Sequence, residues 1–292
     1  MLNREPKTWS SCRTSVEDAV IMDWISAATV VGRETKSVLS SRGARMHDRR
    51  SLMEDCCGWN RKIWADALEF AVSRLPDNLH GKSVLEIGAS PNSALAPLFS
   101  AMGADVVCSC YGPRKSHIED GQLKTICDRY GLRRVPVVEM DAHNISEIYD
   151  LIVMKSVLGG ICRRNDYVAI RTLVSKLAAH LTQSGRIITL DNGYLRPLQA
   201  IRRTLGTGGQ TWTYIRKERL QSTLSGFHVT TRGFGLLNCA SATPMLGTKF
   251  EVINDLAHTA DELIGRLSRR EGYAVLATVI ERSPARNTPC LF

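Results

Sequence analysis

The sequence of 292 residues contains no apolar run close to the length of a membrane-spanning helix. Such a helix needs roughly 20 consecutive apolar residues. The first residues, Met-Leu-Asn-Arg-Glu-Pro-Lys, also lack the apolar stretch of a secretory signal peptide. The composition, with 43% hydrophobic and 23% charged residues, is that of an ordinary globular enzyme. We therefore expect a cytoplasmic protein that does not associate with a membrane.

The nine cysteines show no Cys-x-x-Cys spacing. Cys56 and Cys57 are adjacent, which suits neither a disulfide between them nor a zinc site. Cys108, Cys127 and Cys162 stand among apolar residues, where a cysteine acts as a small core residue. The seven histidines have no metal-ligand spacing either. The sequence therefore predicts no metal site.

The formal charge of +9 is partly local. A basic patch can attract phosphates or nucleic acid. No nucleic-acid-binding motif accompanies the charge, so we favour a solvated, positively charged face and do not expect a nucleic-acid partner. One stretch of the sequence has Glu218 as its single acid and contains the basic residues Arg196, Arg202, Arg203, Arg216, Lys217, Arg219 and Arg232.

The chain divides into three predicted parts. Residues 1–57 form an N-terminal extension, with a helix predicted over 16–28 and a Ser/Arg-rich stretch, 37–50, that forms a loop or a lid. Residues 58–282 form an α/β domain, and 283–292 are a polar tail. A helix over 59–75 opens the domain because its apolar residues recur at helical spacing.

Strands and helices then alternate, which is the signature of a parallel, doubly wound sheet of the Rossmann-like kind, covered by helices on both faces. Ser93 is the predicted N-cap of the first of these helices, and Pro97 falls in its first turn, where a missing N–H is tolerated. Strands are predicted at 83–87, 105–110, 135–140, 151–155, 186–191, 227–232 and 273–280, the fifth after a turn at 183–185, and further helices at 122–130, 166–181, 217–225 and 251–269.

The residues Glu86-Ile-Gly88-Ala-Ser90-Pro-Asn92 occupy the first strand-to-helix crossover. Open α/β sheets bind ligands outside the carboxyl ends of their strands. Gly88 allows a ligand to approach the backbone closely, and the helix N-terminus offers unpaired N–H groups. The carboxylate of Glu86 would repel a phosphate and attract a cation.

This crossover resembles a degenerate form of the motif E/D-x-G-x-G-x-G of the class I S-adenosylmethionine-dependent methyltransferases, with Ser90 and Asn92 in place of two glycines. The resemblance covers about residues 58–282. Further segments agree with that family in order and spacing: Asp141-Ala142 after the third strand, 149–158 around the fourth, 181–188 before the fifth and 219–229 before the sixth.

The resemblance implies a seven-stranded, mostly parallel sheet whose last strand is antiparallel, and it implies S-adenosylmethionine as the methyl donor. Transferred by position, Lys155 would border the reaction centre and also the cofactor. The other cofactor-binding positions that the resemblance implies are Glu86, Gly88, Ala89 and Ser90 at the methionine end, Cys110 and Tyr111 at the ribose, and Asp141 and Ala142 at the adenine.

One departure from the family concerns the ribose. Its members have an acid at the end of the second strand, but the sequence has Cys110 there, between Ser109 and Tyr111. Losing a charged hydrogen-bonding partner costs about 1.5–3 kcal/mol, or roughly ten- to over a hundred-fold in affinity. Ser109 or the Tyr111 ring could recover part of this. The sequence is thus compatible with weak cofactor binding or with a protein that no longer catalyses.

Three residues are candidates for a catalytic role. His143 could be a general base, since imidazole titrates near neutral pH, or it could border the pocket or cap a turn. Asp191 could orient an acceptor hydroxyl or cap the turn at 192–193. Lys155 could form a pocket wall or lie on the surface.

These features favour methyl transfer from S-adenosylmethionine to a small-molecule or carbohydrate-type acceptor. A non-catalytic binding or scaffold protein of the same fold is the first alternative. The second is a nicotinamide-dependent oxidoreductase, which would need glycines facing a pyrophosphate and an acid after the second strand. The sequence carries no signal of the oligomeric state.

Overall fold

A computed structural model describes residues 46–58, 60–194, 212–235, 259–261 and 273–283. The described residues from Asp48 onward belong to one compact unit. The helix expected over 16–28 lies outside the described residues, and of the helix expected over 251–269 only 259–261 are described, in helical conformation. No helix in these ranges combines the length and the apolar character needed to cross a bilayer.

Seven strands form a single sheet. They are β1 (Ser83–Ile87), β2 (Asp105–Cys110), β3 (Val137–Glu139), β4 (Tyr149–Lys155), β5 (Leu181–Asn192), β6 (Phe227–Phe234) and β7 (Val275–Arg282). Their spatial order is β3-β2-β1-β4-β5-β7-β6. Strands β1 to β5 pair in parallel, whereas β7 runs antiparallel to both β5 and β6. The expected seven-stranded sheet with an antiparallel last strand is confirmed.

Helices cover both faces of the sheet. The described ones are α1 (Met46–Cys57), α2 (Arg61–Val72), α3 (Ala96–Ala101), α4 (Lys115–Glu119), α5 (Gln122–Tyr130), α6 (Leu158–Ile161), α7 (Tyr167–Ala179) and α8 (Lys217–Thr223). A short 3-10 turn, Arg163–Asn165, lies between α6 and α7.

Three local predictions need correction. Residues 46–50 belong to α1 and not to a loop or lid, and the side chains of Cys56 and Cys57 at its end are fully buried. Ser93 does not cap α3; its hydroxyl donates to the carbonyl of Cys56 at 3.1 Å. The predicted turn at 183–185 lies inside β5, which begins at Leu181 because this segment pairs with β4 through an irregular register.

Each face of the sheet carries its own apolar core. One core lies under α1, α2, α3 and α5, where Trp64 and Phe99 are among the largest buried side chains. The other lies under α6, α7 and α8 and includes Ile152, Met154 and Leu173. Burying one such side chain fully contributes about 1.5–3 kcal/mol. The six described cysteines, including Cys108, Cys127 and Cys162, are buried and form no disulfide, which confirms their expected place in the core.

Asp150 joins three strands at the amino edge of the sheet. Its carboxylate accepts hydrogen bonds from the Ser83 N–H at 3.0 Å, the Lys82 ammonium at 3.1 Å and the Thr182 hydroxyl at 3.2 Å. Burial opposes ionisation of Asp150, but these donors outweigh it and lower its pKa. Ionised Asp150 therefore stabilises the register between β1, β4 and the start of β5.

We expect Asp150→Asn to lower the free energy of unfolding at pH 7 by about 1–2 kcal/mol, because its three donors lose a charged partner. A lowered native pKa gives stability that is present above the unfolded value of 3.8 and is lost as the pH falls through the native pKa. Urea denaturation at pH 7 and pH 3 measures this; the difference from the wild type should shrink in acid. Asp105→Asn, an exposed position in β2, is the control, and a pH-independent cost would contradict the prediction.

Candidate functional site

The strand order creates a switch point between β1 and β4. The chain leaves β1 toward β2 and β3 and then returns to β4 on the other side of β1. Ligands of open α/β sheets bind outside the carboxyl ends of the strands at such a point. Gly88 lies there with φ +78°, and a Cβ on Gly88 would come within 2.7 Å of the Val157 side chain after β4. Only glycine fits this turn without strain.

The N–H groups of the Gly88 turn are satisfied inside the protein. Those of Gly88 and Ala89 both donate to the carbonyl of Ser109 in β2, at 3.1 and 3.0 Å. The N–H of Ser90 donates to the carbonyl of Ser93 at 3.1 Å. The turn therefore offers none of these donors to an anion.

Glu86 does not face outward from the crossover. It is 2% exposed, and its carboxylate accepts from the N–H groups of Leu95 at 2.8 Å and Ala96 at 2.7 Å. These are the first groups of α3, which have no partner within a helix. Burial raises the pKa of Glu86, and the two N–H donors oppose that rise. The structure thus places Glu86 under the turn as a helix cap, and the expectation that it meets a cationic ligand directly is wrong.

Two glycines that were not predicted from the sequence, Gly58 and Gly121, pack against the backbone of Pro91 and Asn92 in the crossover after β1. Gly58, at the end of α1, packs directly on the carbonyl of Asn92, so no side chain fits there. A Cβ on Gly121 would come within 2.7 Å of the carbonyl of Pro91, which accepts from the N–H of Gln122 at 2.9 Å. The only signal for them in the sequence is a glycine directly beside a helix end.

At the end of β2, only one of the three predicted residues is open to a ligand. Cys110 and Ser109 are both buried, and the Cys110 thiol points to the carbonyl of Gly112 at 3.9 Å. Burial raises the pKa of the Cys110 thiol. The Tyr111 side chain is 76% exposed. Of the two residues expected to compensate for the missing acid, Tyr111 alone is accessible.

Asp141, Ala142 and His143 form a turn beside the end of β2, because the N–H of Met140 donates to the carbonyl of Cys110 at 2.9 Å. One carboxylate oxygen of Asp141 accepts from the backbone N–H of His143 at 2.9 Å. Ala142 is half-buried, and His143 is exposed. Asp141, rather than His143, is the residue that caps this turn.

Lys155 is buried at the end of β4, on the side of α1 and α2. Its ammonium lies 4.3 Å from the centre of the Trp64 ring. Burial lowers its pKa to about 8, although Cys57, Glu86 and Asp191 favour the charged form. The alternative that Lys155 lies on the surface is wrong.

Asp191 is buried at the end of β5, on the opposite face. One carboxylate oxygen accepts from the N–H of Leu158 at 3.0 Å, so Asp191 caps α6 and not the turn at 192–193. Its other oxygen has no hydrogen-bond partner in the described part of the chain. Burial raises the pKa of Asp191 to about 6, and the N–H groups of residues 157–159 oppose that rise.

Trp212 is a further residue that the sequence analysis missed. Its indole ring lies on Gly159 and Gly160 of α6, where a Cβ on Gly160 would come within 3.1 Å of the ring. The N–H of Thr213 donates to the carbonyl of Gly159 at 3.0 Å. The Gly-Gly pair after β4 was the available signal, since two glycines inside a helix need a packing reason.

The predicted residues therefore fall into two groups. Gly88, Ala89, Ser90, Tyr111, Asp141 and Ala142 lie along the accessible carboxyl edge of β1, β2 and β3, whereas Glu86, Cys110, Lys155 and Asp191 are buried beneath that edge. Within the described ranges, no group of three or more His, Cys, Asp or Glu residues is arranged to hold a metal ion.

No known family model matches the sequence, and no curated protein is significantly similar to it. Solved structures show a distant likeness of fold. The pyocyanin biosynthetic protein PhzM is 16% identical, with a TM-score of 0.46 over 76% of this chain and 57% of PhzM, so the chain spans little more than half of that protein.

Two other structures are matched over most of their length. Magnesium protoporphyrin IX methyltransferase (ChlM) from Synechocystis PCC 6803, solved with bound SAH, is 12% identical, with a TM-score of 0.48 over 91% of this chain and 100% of ChlM. A putative sarcosine dimethylglycine methyltransferase from Galdieria sulphuraria is 15% identical, with a TM-score of 0.49 over 76% of this chain and 88% of that one.

The burial of Asp191 predicts a pH-dependent stability. The native state holds this proton up to about pH 6, whereas the unfolded chain releases it near 3.8, so raising the pH through this interval destabilises the fold. The loss should reach about 2–3 kcal/mol between pH 4 and pH 7. Asp191→Asn should remove that part of the pH dependence, because an amide does not titrate. The amide oxygen can still accept from the N–H of Leu158, so the cap of α6 is kept.

Denaturant titration at several pH values measures this slope. Asp166→Asn is the matched control, because Asp166 also caps a helix, α7, through the N–H groups of Val168 and Ala169, but at an exposed position. An unchanged slope in Asp191→Asn would contradict the assignment.

Proposed function

We propose that the protein transfers a methyl group from S-adenosylmethionine to a small-molecule or carbohydrate-type acceptor. The observation that carries the proposal is the Gly88 turn at the switch point. It is open to close approach by a ligand, yet its N–H groups and the first N–H groups of α3 are already satisfied. Such a turn suits an uncharged or cationic ligand better than a phosphate.

The sheet supports the same proposal. The sequence motifs resemble those of the class I methyltransferases, and that resemblance implied seven strands with the last one antiparallel. The strand pairing of β5, β7 and β6 has this form. Gly88 follows the carboxyl end of β1, and Asp141 follows that of β3. Both motif residues therefore lie at the same edge of the sheet, as that family's cofactor site requires.

The same geometry counts against the nicotinamide alternative. A dinucleotide pyrophosphate is normally held by free N–H groups at a helix N-terminus. Here the carboxylate of Glu86 occupies the first N–H groups of α3, and a second anion there would be repelled. The acid that holds the ribose of that cofactor is also missing, since Cys110 ends β2.

The accessible residues suggest how the cofactor is held. The exposed ring of Tyr111 can stack on the adenine or cover the ribose, and the second carboxylate oxygen of Asp141 can accept from the adenine amino group. Gly88 admits the methionine end. The bound cofactor supplies a methyl group already activated by its sulfonium, so the task of the protein is to align the acceptor atom with it.

A non-catalytic protein of the same fold remains the second candidate. The specific observation that favours it is the end of β2, where the buried Cys110 replaces a charged partner of the ribose. Weak binding of the cofactor is expected on this ground, and binding without turnover would select this candidate.

Calorimetric titration with S-adenosylmethionine, S-adenosylhomocysteine and NADH separates these functions. We expect submillimolar binding of the first two and no binding of NADH. Binding of none of the three would contradict both enzyme functions, and binding of NADH alone would select the oxidoreductase.

Gly88→Val should abolish binding of S-adenosylmethionine, because the new side chain meets Val157 and must adopt φ +78°. Gly81→Val is the matched control: it has a similar φ of +73°, nothing lies within 4 Å of its Cβ, and it precedes β1 at the opposite edge of the sheet. The same calorimetric titration measures both variants. Unchanged binding in Gly88→Val, or equal loss in both variants, would show that the site is elsewhere.

Tyr111→Ala should weaken binding of S-adenosylmethionine roughly tenfold, since stacking of an aromatic ring on a base contributes about 1–3 kcal/mol. The Tyr111 side chain is exposed, so thermal stability should not change. Ile148→Ala, a comparably exposed apolar residue just before β4, is the control. Equal affinities of Tyr111→Ala and the wild type would remove Tyr111 from the cofactor site.

A further inference from the structure

We propose that a basic surface beside the carboxyl ends of β4 and β5 binds a phosphate group and that, if the proposed function holds, this phosphate belongs to the methyl acceptor. We call this surface the basic rim. It consists of Arg163, Arg164, Arg216 and Arg219 together with the rings of Tyr167 and Tyr194.

The backbone brings these residues to one edge of the sheet. The segment 212–216 crosses the end of β5: the N–H of Ile215 donates to the carbonyl of Asn192 at 2.8 Å, and the N–H of Tyr194 donates to the carbonyl of Ile215 at 2.9 Å. The N–H of Arg216 then donates to the hydroxyl of Tyr167, the first residue of α7, at 3.0 Å. Arg216 is thereby placed next to the residues that follow α6.

Thr213 completes this arrangement on the other side. Its hydroxyl accepts from the N–H of Asn165 at 3.1 Å and donates to the carbonyl of Cys162. The turn that carries Arg163 and Arg164 is therefore attached to the same segment as Arg216. Both lie at the edge where β4 and β5 end and where an acceptor would meet the cofactor.

Two of the four arginines are held in place by aromatic rings. The guanidinium of Arg216 lies 4.2 Å from the centre of the Tyr194 ring, and that of Arg219 lies 4.4 Å from the centre of the Tyr167 ring. A guanidinium stacked in this way keeps its N–H groups at its edge, where they can form paired hydrogen bonds to a phosphate. Less side-chain freedom remains to be lost when the ligand binds.

The charge of the rim is not neutralised within the described residues. All four arginines are exposed, and none of them forms an ion pair with a described carboxylate. Asp166, the nearest acid in sequence, already accepts from two N–H groups at the start of α7, and Glu218 lies in the first turn of α8. With Lys217, which begins α8, the segments that carry the rim hold five basic residues and these two acids.

The Gly88 turn and the basic rim are complementary. The N–H groups of Gly88, Ala89 and Ser90 are not available to an anion, whereas the rim offers several guanidinium N–H groups. A phosphate-bearing ligand at this edge would therefore place its phosphate on the rim, with its remaining part directed toward the Gly88 turn. The inference thus specifies the acceptor as a phosphorylated molecule, in which the phosphate is either a terminal ester or part of a nucleic-acid chain.

The test compares two variants of the full chain that lose the same charge. Arg216→Gln/Arg219→Gln removes the two stacked guanidinium groups, and Arg133→Gln/Arg134→Gln removes two exposed ones before β3, at the opposite edge of the sheet. Inorganic pyrophosphate and a short oligothymidylate are the probes, titrated at low and at physiological salt. Calorimetry gives the affinities, and thermal unfolding verifies that both variants are folded.

We expect the rim variant to bind at least one probe about tenfold or more weakly than the wild type, and the control variant to stay within about twofold. Tighter binding of pyrophosphate would indicate a small phosphate ester, and tighter binding of oligothymidylate would indicate a nucleic-acid chain. Failure of the wild type to bind either probe, or equal weakening in both variants, would overturn the proposal.

The same samples are titrated with S-adenosylmethionine to separate the two proposals. Binding of the cofactor without binding of either probe would leave the proposed function intact and reject the rim. Binding of a probe without binding of the cofactor would keep the rim as a phosphate site but reject a methyl acceptor as its ligand.

Discussion

The buried carboxylate of Glu86 determines what the centre of this sheet can bind. By accepting the first two N–H groups of α3, it takes the position that a phosphate occupies in many α/β proteins. Removing a charge from water is costly, and the two N–H donors and the Cys108 thiol are what make the burial of Glu86 tolerable. Because Glu86 already uses these N–H groups, they are not available to an anion bound at the Gly88 turn above it.

The carboxyl edge of the sheet consequently has two chemically different sides. Beside β1 and β2 the N–H groups of Gly88, Ala89 and Ser90 are satisfied, and the accessible features are Gly88 and the exposed Tyr111 ring. Along β4 and β5 the basic rim presents guanidinium groups positioned by Tyr167 and Tyr194. A cofactor on the first side and an anionic acceptor on the second would meet above Val157.

The sequence predicted those elements whose signals are local. The bounds of β1, β2 and α5 are the predicted ones, because each is a short periodic run that ends at a turn residue or a polar residue. Residues 46–50 were missed because their composition is polar, and the buried residues described in this helix, such as Cys56, come after them. For the candidate site, the sequence predicted that Gly88 and Asp141 follow the carboxyl ends of strands, and the fold places them there, but it did not predict that Glu86 and Asp191 are buried.

The sequence alone thus determined the alternation of strands and helices and the place of the first crossover, since both depend on neighbouring residues. Only the tertiary structure decided which polar groups are already satisfied. Asp191 meets Leu158, 33 residues earlier, and Arg216 meets Tyr167, 49 residues earlier. The tertiary structure also shows that Arg232, which stands in the same basic stretch of sequence as Arg216 and Arg219, packs elsewhere, on the rings of Phe70 and Phe234. Such contacts join residues far apart in the chain, so they cannot be predicted from the hydrophobic periodicity of neighbouring residues.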